Sequence, residues 1–111
     1  MTKGRITAAT ARRYHALHEI GCIVCRREQG AWVAPEIHHL KGSPYSGMGM
    51  KAKDTDTIPL CPSHHRHAPL GFHAMGQRAW EDRFGSQALL LAATNELIGV
   101  ERQPQTVIPG E

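Results

Sequence analysis

The sequence predicts a single small α+β domain in which two short strands lie between an N-terminal helix and several C-terminal helices. Apolar residues recur at helical spacing towards both ends of the chain, whereas two segments in the middle are rich in strand-forming residues. A loop with several glycines separates these two segments. The length of 111 residues suits one domain, with its core at about 20–98 and loose termini at 1–6 and 99–111.

Each element is predicted from its own residues. Residues 7–20 are expected to form the first helix, with Thr7 or Thr10 as its N-cap and Gly21 at its end. A tight turn at 22–25 is expected next, followed by a strand at 31–40, a loop at 41–55 and a second strand at 56–60. Three helices are expected after the strands. One opens at Cys61 with Pro62 in its first turn, one covers 75–84, and one covers 87–98 with Ser86 as its cap. The apolar side of the last helix is expected to include Leu90, Leu91, Thr94 and Leu97.

Charge and cysteine content limit the kinds of function and cellular compartment that the sequence predicts. The formal net charge of +3 is compatible with nucleic-acid binding but does not establish it. The three cysteines, an odd number, argue against a disulfide framework and predict a reducing compartment, the cytoplasm. The N-terminal residues contain no apolar run of the length that a signal peptide or a membrane span needs, so no membrane association is expected.

Two short motifs together predict a structural zinc site. Cys22 and Cys25 are separated by two residues, as are Cys61 and His64, and the predicted hairpin lies between the two pairs. Zinc prefers four tetrahedral thiolate and imidazole ligands, and its binding energy would stabilise a small, aromatic-poor domain. Two alternatives remain at this point. One is that the cysteines are buried apolar residues or a redox pair instead of zinc ligands. The other is that His67, and not His64, is the fourth zinc ligand.

The remaining histidines of the cluster are His38, His39, His65 and His73. Neighbouring side chains in a strand point to opposite faces, so His38 and His39 are expected to take different roles, one on a metal and one as a free base. His65 is about 100° around a helix from His64 and is expected to face the hairpin rather than the zinc. The alternatives are a second structural zinc site and adventitious metal binding by a histidine-rich segment.

The order of these motifs resembles that of a known enzyme superfamily. The Cys-x-x-Cys pair, then Glu-Ile-His-His-Leu at 36–40, then Asp-Thr-Ile-Pro-Leu-Cys-Pro-Ser-His-His-Arg at 56–66 resemble the signature of the HNH (ββα-metal) endonucleases. More closely, they resemble the phage recombination-enhancement (Ref) nucleases, which are described as RecA-dependent. The stretch Leu-Gly-Phe-His at 70–73 and the residues at 75–81 are similar too, so the resemblance covers residues 20–98.

The resemblance implies a role for each matching residue. His38 would be the first ligand of a catalytic divalent metal, His39 the general base, and His65 and His73 the second and third ligands. Asp56 stands where HNH proteins usually have asparagine, and would orient the base. The spacing from His65 to His73 is longer than in many HNH proteins, so the chain must bend back around Pro69.

The implied function is a metal-dependent endonuclease that hydrolyses phosphodiester bonds of DNA. The resemblance adds phage or prophage recombination as the setting and a recombinase filament as a partner. Imidazole ligands do not determine whether the catalytic ion is Mg²⁺, Mn²⁺, Ni²⁺ or Zn²⁺. Since the sequence contains no base-reading motif, low sequence specificity is expected.

Four basic residues are candidates for phosphate contacts: Lys41, Lys51, Lys53 and Arg66. The alternative is that the lysines belong to an ordinary solvated loop. Two other functions remain open from the sequence. One is a non-catalytic zinc-stabilised nucleic-acid-binding module, and the other is a redox or metal-carrier protein that uses Cys22 and Cys25.

Overall fold

The computed structural model describes residues 6–47 and 50–100, and over these ranges the chain is an α+β domain, as the sequence predicts. Residues 1–5, 48–49 and 101–111 lie outside the described residues, and with them most of the predicted loose termini and part of the predicted loop. The elements in chain order are α1 (Ala8–Ile20), α2 (Ile23–Gln29), β1 (Glu36–His39), β2 (Thr57–Leu60), α3 (Pro62–His65), α4 (Phe72–Met75), α5 (Gln77–Phe84) and α6 (Gln87–Ile98).

Helix α1 begins and ends close to the predicted residues. Thr7 caps its first turn, and Gly21 follows its last residue with a φ of 75°. Arg13 attaches the helix to the rest of the domain, since it donates to Oγ1 and the backbone oxygen of Thr57 and to Oδ1 of Asn95 at 2.8, 2.6 and 2.9 Å. One guanidinium therefore connects α1 to both β2 and α6.

The predicted turn at 22–25 and the predicted strand at 31–40 are wrong in their extent. Cys25 lies inside α2, which continues to Gln29 and ends at Gly30, a glycine in the left-handed conformation. Strand β1 contains only four residues. It begins directly after Pro35, which has no N–H to donate to a partner strand. The β-forming residues before the proline therefore form an irregular connection instead of a strand.

The two strands form an antiparallel hairpin whose register decides where the histidines point. The opposed pairs are Glu36–Leu60, Ile37–Pro59, His38–Ile58 and His39–Thr57. Because side chains alternate along a strand, Glu36 and His38 share one face and His39 lies on the other. His38 is buried and His39 half-buried.

After the hairpin the chain forms three short helices. Pro62 occupies the first turn of α3, as predicted. The single helix predicted at 75–84 is instead two helices, because Gly76, with a φ of 93°, separates α4 from α5. Between α3 and α4 the backbone turns tightly at Gly71, where a Cβ atom would lie 2.6 Å from backbone atoms of Arg66 and His67. This turn returns the chain towards β1.

Helix α6 has the bounds that the sequence predicts, and the Ser86 hydroxyl accepts a hydrogen bond from the backbone N–H of Leu89 at 3.0 Å. Its buried face includes Leu90 and Thr94, as predicted, whereas Leu97 is 45% exposed and the unpredicted Gln87 is buried. The core that α6 covers consists of Cys22, Ile23, Val24, Cys25, Leu40, Ile58, Leu60, Cys61, Phe72, Trp80, Phe84 and Leu90.

Candidate metal centres

Cys22, Cys25, Cys61 and His64 converge on one point, although the hairpin separates the two pairs along the chain. Sγ of Cys25 lies 3.8 Å from Sγ of Cys61, and Nδ1 of His64 lies 3.7, 3.6 and 3.2 Å from the sulfurs of Cys22, Cys25 and Cys61. A tetrahedral zinc ion with Zn–S bonds of about 2.3 Å and Zn–N bonds of about 2.0 Å separates its ligands by about 3.5–3.8 Å. This Cys3His cluster is therefore compatible with a structural zinc ion.

The chemistry of the cluster also suits a cation. Burial raises the pKa of the Cys22 thiol, and burial together with the neighbouring Cys22 raises the pKa of Cys25 to about 12. A bound zinc ion offsets this cost, because its charge stabilises thiolates. Burial also lowers the pKa of His64, which favours the neutral imidazole that a metal requires.

Both halves of the Cys3His cluster begin at the start of a helix. Cys22 caps α2, and its sulfur lies 3.5 Å from the backbone nitrogen of Cys25. Cys61 caps α3, and its backbone oxygen accepts from the backbone N–H of His64 at 3.0 Å. The helical turn brings each second ligand back over the first, so a spacing of two intervening residues places both side chains at one point.

His64, rather than His67, is the histidine of this cluster. Nε1 of Trp80 donates to the backbone oxygen of His64 at 3.1 Å, and the ring of Phe84 packs against its imidazole with centroids 5.0 Å apart. His67, one turn further on, is exposed. The sequence leaves open whether His64 or His67 is the fourth ligand. Contacts from Trp80 and Phe84 of α5 hold His64 in the cluster.

A second cluster contains His38, His65 and His73, whose ligand atoms lie within 4.8 Å of one another. Ring centroids are 5.2 Å apart for His38 and His65, 5.6 Å for His38 and His73, and 4.9 Å for His65 and His73. The structure therefore brings together the three ligands that the resemblance implies. His38 is buried, His65 half-buried and His73 exposed, so this trihistidine cluster opens to solvent at His73.

The residues of the trihistidine cluster come from three different elements. His38 comes from β1, His65 from the last residue of α3 and His73 from α4. Neighbouring residues in a helix are about 100° apart, so His65 joins this cluster while His64 joins the Cys3His cluster. The close backbone approach at Gly71 provides the bend that the long spacing to His73 requires.

Glu36 holds His65 from the side of the sheet. Its Oε1 lies 2.8 Å from Nδ1 of His65, and its Oε2 lies 2.7 Å from Nη2 of Arg66. These hydrogen bonds, that of Arg66 first, lower the pKa of Glu36 to about 2. With Nδ1 of His65 occupied by a carboxylate, Nε2 remains for a metal, an arrangement that is common around metal-bound histidines.

Gln87, which the sequence analysis did not single out, holds His38. Its Oε1 lies 3.0 Å from Nε2 of His38, and both side chains are 1% exposed. Burial lowers the pKa of His38 to about 4, so the imidazole is neutral at physiological pH, as a metal ligand must be. Burial likewise lowers the pKa of His73.

His39, the implied base, lies on the opposite face of β1, beside α1. Its Nε2 is 2.9 Å from Oδ1 of Asp54 and 3.4 Å from the hydroxyl of Tyr14, which also donates to Asp54 at 3.1 Å. The hydrogen bond with His39 lowers the pKa of Asp54, so its side chain is a carboxylate. Within residues 6–47 and 50–100, the trihistidine cluster does not include His39.

Asp56, to which the resemblance assigned the orientation of the base, is placed differently. Its backbone N–H donates to Lys53 in a turn, and its backbone oxygen accepts from the N–H of Leu40 at 3.1 Å. The charge of its carboxylate acts on Arg13, where it opposes the lowering of the pKa by burial. The turn thus presents Asp54 to the imidazole and Asp56 to α1, so the side chain beside the implied base is Asp54.

The four candidate phosphate-binding residues are all exposed. Lys41, Lys51 and Lys53 are exposed in the segment that joins β1 to β2. Arg66 is also exposed, but its guanidinium pairs with Glu36. The three lysines are thus available to a ligand, whereas Arg66 already serves to hold Glu36.

A family model described as "Protein of unknown function (DUF968)" matches residues 6–98, which contain both clusters. The chain belongs to the DUF968 family. Among other proteins, it is similar to "Uncharacterized protein YdfU" of Escherichia coli (strain K12), with 41% identity over 58 residues. That match covers 52% of this chain and 15% of the relative. The description of that relative names no substrate or reaction.

In the part of the chain that the structure describes, none of the helices has the combination of length and hydropathy needed to cross a lipid bilayer.

Proposed function

We propose that this DUF968 protein is a metal-dependent endonuclease of the HNH type, which hydrolyses phosphodiester bonds of DNA. The observation that carries the proposal is the convergence of His38, His65 and His73 on one point beside a hairpin and a helix. Three protein ligands leave positions for water and substrate, as in catalytic metal sites, whereas the four ligands of the Cys3His cluster complete a structural site.

The trihistidine cluster would hold the divalent ion against the scissile phosphate. A bound Mg²⁺, Mn²⁺, Ni²⁺ or Zn²⁺ ion supplies Lewis-acid polarisation of the phosphate and stabilisation of the leaving oxygen. Glu36 orients His65, and the solvent-open position of His73 gives a phosphate group access.

His39 would act as the general base. Asp54 is a carboxylate and can only accept, so Nε2 of His39 carries the proton between them and Nδ1 is free to accept one from water. Consecutive Cα atoms are about 3.8 Å apart. The proposal requires that a phosphate at the end of β1 contact both the metal held by His38 and the ring of His39, which lie on opposite faces of the strand.

DNA would be bound mainly through its backbone. Lys41, Lys51 and Lys53 offer exposed cations next to the hairpin, and the net charge of +3 favours association with a polyanion. The resemblance to the Ref nucleases adds a cytoplasmic role in phage or prophage recombination, with a recombinase filament as partner. Stimulation of cleavage by preformed RecA filaments would test that part of the proposal.

The test of the activity is nicking of supercoiled plasmid by zinc-loaded protein with each of the four ions added. We expect His39→Ala to lower the rate by about 10²–10⁴-fold, as for loss of a general base. His65→Ala should abolish nicking, and the exposed His67→Ala serves as the matched control. Absence of nicking by the wild type with every ion, or equal nicking by His39→Ala, would contradict the proposal.

A second candidate function is a non-catalytic, zinc-stabilised nucleic-acid-binding module. The observation that favours it is the pairing of His39 with Asp54 and Tyr14 on the face opposite the trihistidine cluster. Retention of duplex DNA in a mobility-shift assay, without cleavage under any metal, would select this function over the nuclease.

A further inference from the structure

The buried amide of Gln87 makes three hydrogen bonds with its side chain, two of them to the backbone of Lys41. Oε1 accepts from the backbone N–H of Lys41 at 2.9 Å, and Nε2 donates to the backbone oxygen of Lys41 at 2.9 Å. A backbone N–H can only donate and a backbone oxygen can only accept. The two contacts to Lys41 therefore determine which end of the Gln87 amide is the oxygen and which is the nitrogen.

This orientation decides which ring nitrogen of His38 carries the hydrogen. The third contact joins Oε1 of Gln87 to Nε2 of His38 at 3.0 Å. An amide oxygen has no proton to donate, so Nε2 of His38 must carry the hydrogen. In a neutral imidazole the other nitrogen is then bare.

The bare nitrogen of His38 is the one without a partner inside the protein. Nδ1 of His38 is buried and makes no hydrogen bond in the structure. Leaving a buried acceptor without a partner costs about 1–3 kcal/mol. The ring lies against those of His65 and His73, and since Nε2 is bonded to Gln87, Nδ1 is the nitrogen that remains for the trihistidine cluster.

We propose that Gln87 is a positioning residue that imposes the Nε2–H tautomer on His38 and thereby makes Nδ1 the ligand atom of the second metal. The inference rests on the proposed function, since it assigns a role at the same cluster. It also explains why a glutamine is buried at the first position of α6, facing β1 across the domain. The two hydrogen bonds to the backbone of Lys41 fix the orientation of the Gln87 amide.

The experiment uses the full chain loaded with one zinc, as checked by native mass spectrometry. Nitrogen-15 NMR of labelled histidines reports which ring nitrogen of His38 carries hydrogen, with His38→Asn to assign its signals. We expect a bare Nδ1 and a protonated Nε2 in the wild type. Gln87→Met, which keeps the length of the side chain but loses both hydrogen-bonding ends, should give mixed tautomers.

Calorimetric titration of the same samples with Mn²⁺ or Ni²⁺ measures the second site directly. We expect Gln87→Met to weaken binding by about 10–100-fold, which is usual when the partner of a ligating histidine is lost. Asn95→Leu is the matched control, because Asn95 is an amide of the same helix that bonds Arg13 rather than His38. Its affinity should remain within about threefold of the wild type.

Gln87→Glu separates the tautomer from general packing. It retains an acceptor for Nε2 of His38, loses the donor to Lys41 and adds a carboxylate, so the hydrogen on Nε2 should persist. A protonated Nδ1 in the wild type, or unchanged tautomer and affinity in Gln87→Met, would overturn the inference. If Gln87→Met gives mixed tautomers and the wild type and Gln87→Glu keep the hydrogen on Nε2, but no second ion is taken up, the proposed function is overturned and the effect of Gln87 on His38 is supported.

Discussion

Nε2 of His39 and Oδ1 of Asp54 lie 2.9 Å apart, in a pairing of residues from β1 and from the turn before β2. Under the proposed function, Asp54 determines which nitrogen of the base is free. Asp54→Asn can present an N–H to the same imidazole nitrogen and so favour the wrong tautomer. We expect a loss in nicking rate of about 10²-fold or more, comparable with loss of the base.

The control for this substitution is Asp56→Asn. Asp56 contacts β1 through its backbone, which the change leaves intact, so its nicking rate should stay close to that of the wild type. A larger loss in Asp56→Asn than in Asp54→Asn would restore the assignment that the resemblance suggests.

The Cys3His cluster predicts dependence of the fold on zinc. Structural zinc sites contribute about 10–16 kcal/mol of apparent binding free energy. That is as large as the typical free energy of unfolding, about 5–15 kcal/mol. Cys61→Ser should therefore lose both the zinc in native mass spectrometry and the helical signal in circular dichroism, whereas His67→Ala should keep both. A helical, zinc-free Cys61→Ser protein would show that the cluster is not what stabilises the domain.

Gly71 predicts a steric effect on the trihistidine cluster. A methyl group there would lie 2.6 Å from the backbone of Arg66 and His67, which cannot move as a flexible side chain can. Gly71→Ala should lower the free energy of unfolding by about 1–3 kcal/mol, as overpacking does. It should also displace His73 and weaken the second metal. Chemical denaturation and metal titration measure the two effects.

Gly47→Ala provides the comparison for Gly71, because nothing lies within 4 Å of the added methyl group. Its stability and metal affinity should match those of the wild type. Equal behaviour of the two variants would mean that the backbone adjusts at Gly71 without consequence for His73.

The exposed lysines predict the salt dependence of DNA binding. Each phosphate contact contributes about 0.9 to the slope of log K against log salt concentration for duplex DNA. Lys51→Gln and Lys53→Gln should each reduce the slope by about that amount. Arg66→Gln should change it less, because its guanidinium pairs with Glu36. Unchanged slopes in both lysine variants would place the DNA elsewhere on the surface.

The parts of the site that sequence analysis predicted are those set by short-range spacing. Cys22 and Cys25, or Cys61 and His64, meet because two intervening residues in a helical turn leave few alternatives. The bounds of α6 were predictable for a similar reason, since Ser86 and Gly99 mark its two ends.

The parts that sequence analysis missed depend on contacts between distant segments or on one turn. Gln87 is 49 residues from His38 in the chain, and an isolated glutamine gives no signal of that contact. Asp54 and Asp56 are both in the predicted loop or at its edge, and only the conformation of the turn decides which carboxylate reaches His39. Gly76 divides one predicted helix into two, and nothing in the sequence distinguishes it from a glycine within a single helix.

His64 and His65 are consecutive residues of α3, yet they belong to different clusters. A four-residue helix has no stability of its own, so the position of His65 depends on what holds His64. Under the proposed function, removal of zinc from the Cys3His cluster would therefore also weaken the second metal site, although the two sites share no ligand.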